Sequence, residues 1–261
     1  SGEIKVILVV QVDTASGVVN DIPAIRAAMD VSGHEALLFV DTIASLGTMP
    51  FKMDAWGVDV AVTGSQKGLM MPPGLSFVAT SKKAEQAHQS ANLRTRYWDW
   101  TARQGELHYD KYCGTPPVHQ LFGLRAALDL ILEEGLDNVI RRHQLLADAA
   151  RSTVEAWSEG GAIECNILDP QQRANSVTVV LLGGGHHPSK LLEYCQQRCG
   201  VVLGIGIGGL DDTAFRIAHM GHINAPMLLG SLSVIEMGFV ALGIPHGQGG
   251  VTAAIQQLGQ S

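Results

Sequence analysis

Basic clusters are missing from this 261-residue chain, which carries 18 Lys and Arg against 25 Asp and Glu for a formal charge of −7. It has no Lys/Arg block and no aromatic–basic interleaving. That balance argues against nucleic acid as a partner, because nucleic acid draws on basic surfaces. The opening residues, Ser1-Gly-Glu-Ile-Lys5, lack the charged and apolar regions of a signal peptide. No apolar run reads as long enough to cross a bilayer, so no membrane partner is expected and the expected location is cytoplasmic. Internal repeats and low-complexity tracts are also absent.

The cysteines, Cys113, Cys165, Cys195 and Cys199, form no C-x-x-C pair, which argues against zinc-ribbon and thioredoxin-like chemistry. Cys195 and Cys199 lie four apart on an expected helix, hence on one face, and read as thiols in a reducing compartment. His186 and His187 follow three glycines without an identifiable third ligand, so no metal is expected.

What is present is apolar: 46% hydrophobic residues against 16% charged, enough for a sizeable core in one large domain or two smaller ones. Residues 4–12 read as a buried strand, followed by a polar turn over 13–17. Asp21 is placed to cap a helix with Pro23 in its first turn. Strands are expected near 37–41, 58–63 and 75–80. Their apolar runs are continuous rather than alternating, the pattern of parallel strands covered on both faces. Residues 116–158 turn helical, with Gly135 separating two helices. Further strands fit 162–167, 176–182, 200–203 and 213–218, and helices fit 189–199, 227–242 and 249–258. This second block reads as a smaller α+β domain.

The chemistry-bearing stretch is Val60 to Gly74, where a short apolar run ends in small polar residues and Lys67, and Pro72-Pro-Gly74 follows. Asp41 ends another apolar run, Leu37-Leu-Phe-Val-Asp41. A carboxylate and an amine at the ends of core strands form a candidate reaction centre. Taken singly, each residue has a plainer reading. Lys67 could be a solvated loop residue, and Asp41 a turn former. Thr14 could close a local turn with Asp13 and Ser16. Gln66 could be a turn residue, Tyr112 a structural aromatic, and Thr115 a helix cap ahead of Pro116 and Pro117. Arg216 lies in an apolar run, where a charge needs either an ion-pair partner or a carboxylate ligand.

Six segments in order and spacing resemble the class V pyridoxal-phosphate (PLP) aminotransferases of fold type I. They look most like the alanine/serine–glyoxylate and pyridoxamine–pyruvate enzymes. The segments are Asp13-Thr-Ala-Ser-Gly-Val18, Val40-Asp-Thr-Ile-Ala-Ser-Leu-Gly47, Thr63-Gly-Ser-Gln-Lys-Gly68, Pro72-Pro-Gly74, Tyr112-Cys-Gly-Thr-Pro-Pro117 and Phe215-Arg-Ile-Ala-His-Met-Gly221. The resemblance implies an α/β fold: a large PLP-binding domain with a mainly parallel sheet over residues 1–134, and a small α+β domain over 135–261. It implies that Lys67 holds pyridoxal 5'-phosphate as a Schiff base and that Asp41 partners the pyridine nitrogen. Thr14 lies against the ring, Gln66 binds the phosphate, and Tyr112 and Thr115 reach the phosphate of a neighbouring subunit in a homodimer or higher homo-oligomer. Arg216 grips the substrate carboxylate.

The implied reaction is transamination between a serine- or alanine-type amino acid and a 2-oxo acid such as glyoxylate or pyruvate. Each role makes chemical sense: a carboxylate keeps the ring nitrogen protonated, an amine shuttles protons, and an arginine fork suits a carboxylate. The resemblance begins part-way into the family's large domain, so the PLP-binding part is expected to be incomplete and PLP poorly retained by this polypeptide alone. The alternatives are an incomplete or non-catalytic aminotransferase-like chain, a phosphonate or phosphoserine aminotransferase, and a cysteine desulfurase. The last usually has His where this chain has Gln66. Gly204-Ile-Gly-Ile-Gly-Gly209 fits a dinucleotide fingerprint, making an NAD oxidoreductase a remote alternative. His219, Trp98 and Trp100 are left between site-lining and structural roles.

Overall fold

The computed structural model describes residues 3–260. The chain divides into two compact units, and two short segments from its first fifth cluster with the second. The first unit holds residues through Val10, Asp21–Ile43 and Lys52–Glu133; the second holds Gln11–Asn20, Ala44–Phe51 and the chain from Glu134 onward.

The first unit is built on a four-stranded sheet in the order β1 (Val6–Val10), β2 (Leu37–Asp41), β3 (Val60–Gly64), β4 (Ser76–Thr80). Helix α1 (Ile22–Val31) connects β1 to β2. The Asp21 carboxylate caps it by accepting from the Ala24 N–H at 2.9 Å, as expected from the Asp-Ile-Pro start. Strands β1, β2 and β3 are parallel, whereas β4 returns antiparallel to β3, because a loop rather than a helical crossover joins them. Coverage on both faces holds only for the centre of the sheet. Leu38 and Val40 on β2 are buried, yet Leu8 on β1 is 77% exposed and Val78 on β4 is 51% exposed. Strand β1 also stops at Val10, and Val12 instead bridges to Val19. Asp59 ties the strand entrances together, accepting from the Leu38 N–H at 3.0 Å and the Ser81 hydroxyl at 2.8 Å. Ser81 in turn caps α2 (Lys82–Gln89). The unit continues through the short α3 (His108–Tyr112) into α4 (Val118–Glu134).

The first helix of the second unit is α5 (Leu136–Ser158), separated from α4 by Gly135 with φ of 85°, as its place in the sequence suggests. An antiparallel sheet follows, in the order β5 (Ile163–Cys165), β6 (Val177–Leu182), β8 (Ala214–Ala218), β7 (Gly204–Ile205). No strand forms over 200–203 as expected; the pairing starts at Gly204. Helix α6 (Pro188–Cys199) lies between β6 and β7 in sequence, and α7 (Ala225–Leu242) and α8 (Gly250–Gly259) end the unit. Trp157, Phe215 and Phe239 form its aromatic centre, with the Trp157 and Phe239 rings edge-to-face at 5.0 Å. Cys195 is fully buried within the same core, and burial pushes its thiol up to about 11.

The expectation that no apolar run is long enough to cross a bilayer needs correction. Helix α7 is long and apolar enough, with mean hydropathy of 1.7 over 18 residues. Its Leu228, Leu232, Ile235 and Phe239 nevertheless belong to the core packed with α5, α6 and β8. The core contact takes up one face of the helix, and 28% of the stretch is buried.

Candidate active site

The first unit brings Asp41 and Lys67 to the same end of its sheet. Asp41 is the last residue of β2 and lies in register between Val10 of β1 and Val62 of β3. Lys67 follows the end of β3 by three residues. Both sit at the carboxyl ends of adjacent parallel strands, where open α/β sheets place their ligand sites. One Asp41 oxygen, Oδ1, accepts from the Ile43 N–H at 2.7 Å, which orients the carboxylate. Lys67 is half-buried, and among the described residues its amine makes no hydrogen bond or ion pair.

The loop between β3 and β4 that carries Lys67 is tightly specified. The Lys67 carbonyl accepts from the Met70 N–H at 2.9 Å, closing a turn in which Met70 takes φ of 62°. That left-handed conformation costs a non-glycine residue about 1 kcal/mol, so the turn is held by its surroundings. Gln66 is exposed and its side chain folds back over Gly64. Ser65, absent from the sequence-based candidates, is fully buried and makes hydrogen bonds to three residues of this loop. A serine between a strand end and a lysine carries no distinguishing pattern.

Tyr112 ends α3, and Thr115 lies in the turn between α3 and α4. Cys113 there takes φ of 53° and Gly114 φ of 152°, so the chain reverses sharply between the two candidate residues. Thr115 does not stand at the helix start as expected. Leu121 N–H donates to the Pro117 carbonyl at 3.1 Å, so the helical ladder begins at Pro117, two residues later. The two prolines shift the start, since neither has an N–H and Thr115, preceding Pro116, is held out of the helical region.

Thr14 and Arg216 lie together in the second unit. The 13–17 turn is organised by Asp13, whose carboxylate accepts from the Ser16 hydroxyl at 2.6 Å and from the Ala15 and Ser16 N–H groups. The Ser16 hydroxyl bond, aided by those N–H bonds and opposed by burial, holds the Asp13 carboxyl below its ordinary range. Asn166 Nδ2 anchors the far side by donating to the Ser16 carbonyl at 2.9 Å. On β8, Arg216 donates from Nε to the Ile205 carbonyl at 2.6 Å and from Nη1 to the Thr14 carbonyl at 3.2 Å. Burial lowers the Arg216 pKa, yet an arginine stays cationic across the working pH range. Two carbonyls therefore orient the fork without neutralising it.

Several alternatives fall away. The Gly204–Gly209 stretch is a two-residue strand followed by a short 3-10 turn running into β8, not a strand opening into a helix. A side chain at Gly206 would overlap the Leu210 carbonyl, so tight loop closure accounts for the glycine and the dinucleotide reading is discarded. His219 is fully buried: Nδ1 meets the Asn175 carbonyl and Nε2 the Thr178 hydroxyl, both at 2.8 Å, which is a structural role. Trp100 packs on His88 with ring centroids 5.0 Å apart, while Trp98 is 75% exposed. No group of three metal-ligating side chains occurs among the described residues.

The profile of the family described as aminotransferase class-V matches residues 1–209. The chain belongs to the class-V aminotransferase family. Among relatives, it is 39% identical to the serine–glyoxylate aminotransferase of Methylorubrum extorquens over 98% of this chain and 64% of that protein. It is 42% identical to the serine–glyoxylate aminotransferase of Arabidopsis thaliana, again over 98% of this chain and 63% of that protein. The crystal structure of pyridoxamine–pyruvate aminotransferase from Mesorhizobium loti superposes with a TM-score of 0.88 at 30% identity, covering 99% of this chain and 66% of that one. The fold is thus that of the fold type I aminotransferases, and the chain spans just under two thirds of the length of these family members.

Proposed function

We propose that this chain carries the catalytic residues of a PLP-dependent aminotransferase working between a small amino acid, of serine or alanine type, and a 2-oxo acid such as glyoxylate or pyruvate. The observation that carries the reading is the placement of Asp41 and Lys67 at the carboxyl ends of β2 and β3. The names of the relatives, serine–glyoxylate and pyridoxamine–pyruvate aminotransferase, support the substrate classes.

The residues present fit pyridoxal 5'-phosphate chemically. They supply an amine with no partner among the described residues, a carboxylate with one oriented oxygen, and amide and hydroxyl groups suited to a phosphate. When bound, that cofactor supplies an electron sink for the substrate's Cα–H electrons. Lys67 would attach it covalently and, once released, move the proton from the substrate Cα. Asp41 would keep the ring nitrogen protonated, the form that accepts electron density. Thr14 would lie against the ring and Gln66 would bind phosphate. Arg216, oriented by the Ile205 and Thr14 carbonyls, would take the substrate carboxylate with its remaining N–H groups.

Residues 1–134 would serve as the cofactor-binding part and 135–261 as the smaller domain. Tyr112 and Thr115 would reach a second subunit's phosphate, which makes the working protein a homodimer or larger, placed in the cytoplasm. The deciding experiment pairs serine, alanine, aspartate and pyridoxamine with glyoxylate or pyruvate, and repeats the best pair with Lys67→Ala. Turnover by Lys67→Ala at the wild-type rate would overturn the proposal. So would borohydride trapping of PLP on another lysine.

A further inference from the structure

Ser65 precedes Lys67 by two residues and has no accessible surface. Its hydroxyl donates to the Pro72 carbonyl at 2.7 Å and accepts from the Leu75 N–H at 3.2 Å. Its main chain is equally engaged: the Ser65 N–H donates to the Leu75 carbonyl at 3.0 Å, and the Ser65 carbonyl accepts from the Met71 N–H at 3.0 Å. One residue thus closes the loop from Ser65 to Leu75 on itself. Lys67 sits within that closure, and its own carbonyl accepts from Met70.

The chemistry requires a hydroxyl at this point. The β3–β4 ladder runs one pair past Gly64 and Ser76, through the Ser65 N–H to the Leu75 carbonyl, and Pro72 and Pro73 have no N–H to carry it further round the loop. A serine hydroxyl donates and accepts at once, satisfying the Pro72 carbonyl and the Leu75 N–H from one atom. Alanine would remove that shared partner from the exposed Pro72 carbonyl and the half-buried Leu75 N–H. Asp41, on the next strand, is oriented independently through Ile43. A loosened Ser65 closure would therefore move the amine relative to a fixed carboxylate.

We infer that Ser65 is the positioning residue that holds the Lys67 amine for its covalent and proton-moving work. It does so by locking the 65–75 loop onto its own first residue. The inference rests on Lys67 being the cofactor lysine. It predicts that Ser65 acts on the rate of covalent capture and on kcat, not on recognition of the substrate carboxylate, which is assigned to Arg216.

The test uses the native full-length protein as wild type, Ser65→Ala and Ser65→Thr. PLP is added, the adduct is trapped with borohydride over a time course, and the modified peptide is quantified by mass spectrometry. Ser65→Ala should slow capture at Lys67 roughly tenfold and speed amide exchange at Leu75 by a similar factor. Its kcat should fall roughly tenfold, with KM for the amino donor within about twofold of wild type. Ser65→Thr, which keeps the hydroxyl, should restore capture and kcat. If Ser65→Ala yields no folded protein, Ser65→Cys, with a weak donor in similar volume, carries the same expectations.

Wild-type capture and kcat in Ser65→Ala, with Lys67 modified in the wild type, would overturn the role of Ser65 alone. So would a rise in KM without a fall in kcat, or failure of Ser65→Thr to recover. Wild-type capture at a different lysine would instead overturn the cofactor reading, and the positioning role with it, even if Leu75 exchange rose as expected.

Discussion

Arg216 Nη1 donates to the main-chain carbonyl of Thr14 at 3.2 Å, across 202 residues of sequence. The proposed carboxylate fork and the turn proposed to lie against the cofactor are therefore joined by a hydrogen bond within one unit. Lysine could not reproduce this. It lacks the planar array that donates to the Ile205 and Thr14 carbonyls while leaving further N–H groups for a ligand. Arg216→Lys should lower kcat/KM for carboxylate-bearing donors roughly 100-fold, about 3 kcal/mol. Steady-state kinetics with an amino acid and with pyridoxamine, which has no carboxylate, check this. An equal loss for both would remove the clamp assignment.

Asp41→Asn separates charge from architecture. Asparagine keeps an oxygen that can accept from the Ile43 N–H, so the end of β2 should stay in place. The charge that would favour a protonated ring nitrogen is lost, and kcat should drop at least ~100-fold, equivalent to about two pKa units of lost bias. The urea midpoint should barely move. Wild-type kcat with a normal midpoint would show that Asp41 does not act on the cofactor.

Stability should fall with pH through His219. Burial, the largest influence, lowers its pKa from 6.5 to about 3; the bond to the Asn175 carbonyl opposes this, and the charges of Arg151 and His143 add to it. The folded pKa lies below the unfolded one, so the unfolded chain binds more protons between those values. This contribution is complete above pH ~6.5 and is lost progressively as pH falls towards 3. Urea midpoints measured from pH 7 to pH 5 should decrease, and His219→Gln should flatten that slope. An identical slope in the variant would contradict the assignment.

Gly250 opens α8 directly against Trp157, and a Cβ there would overlap the buried indole. Trp157 cannot easily yield: Nε1 donates to Glu236 Oε2 at 2.9 Å while the ring packs on Phe239. Gly250→Ala should destabilise the second unit by about 1–3 kcal/mol despite alanine's better helix propensity. Chemical denaturation with Trp56, Trp98 and Trp100 each changed to Phe, so that Trp157 alone reports, measures it, and a stabilised variant would count against this packing.

Much of the local structure is legible in the sequence because its causes are local. Asp21 before Ile22-Pro23 announces a helix start, Gly135 announces a break, and the continuous apolar runs announce β2 and β3. Sequence and structure part where distant chain decides. Leu8 looks as buried as Leu38 in sequence, yet it is 77% exposed on an edge strand. Strand β4 reads like its parallel neighbours but runs antiparallel, since nothing in five residues records direction. Helix α7 matches a membrane span in length and composition, and only folding shows that Leu228, Leu232, Ile235 and Phe239 pack in a core.

Motif spacing and hydrophobic periodicity are written along the chain, and from them alone come the family, the candidate lysine and carboxylate, and most of the elements. Which groups hold those residues in place is a matter of folding. Ser65 becomes a loop clasp once Pro72 and Leu75 return to it, and Asp13 a turn organiser once Ser16 folds over it. His219 becomes a buried neutral base between Asn175 and Thr178. Hydrogen-bond partners are set by distance in space, and a hydroxyl or imidazole has the same letter whether it meets water, a ligand or a buried carbonyl.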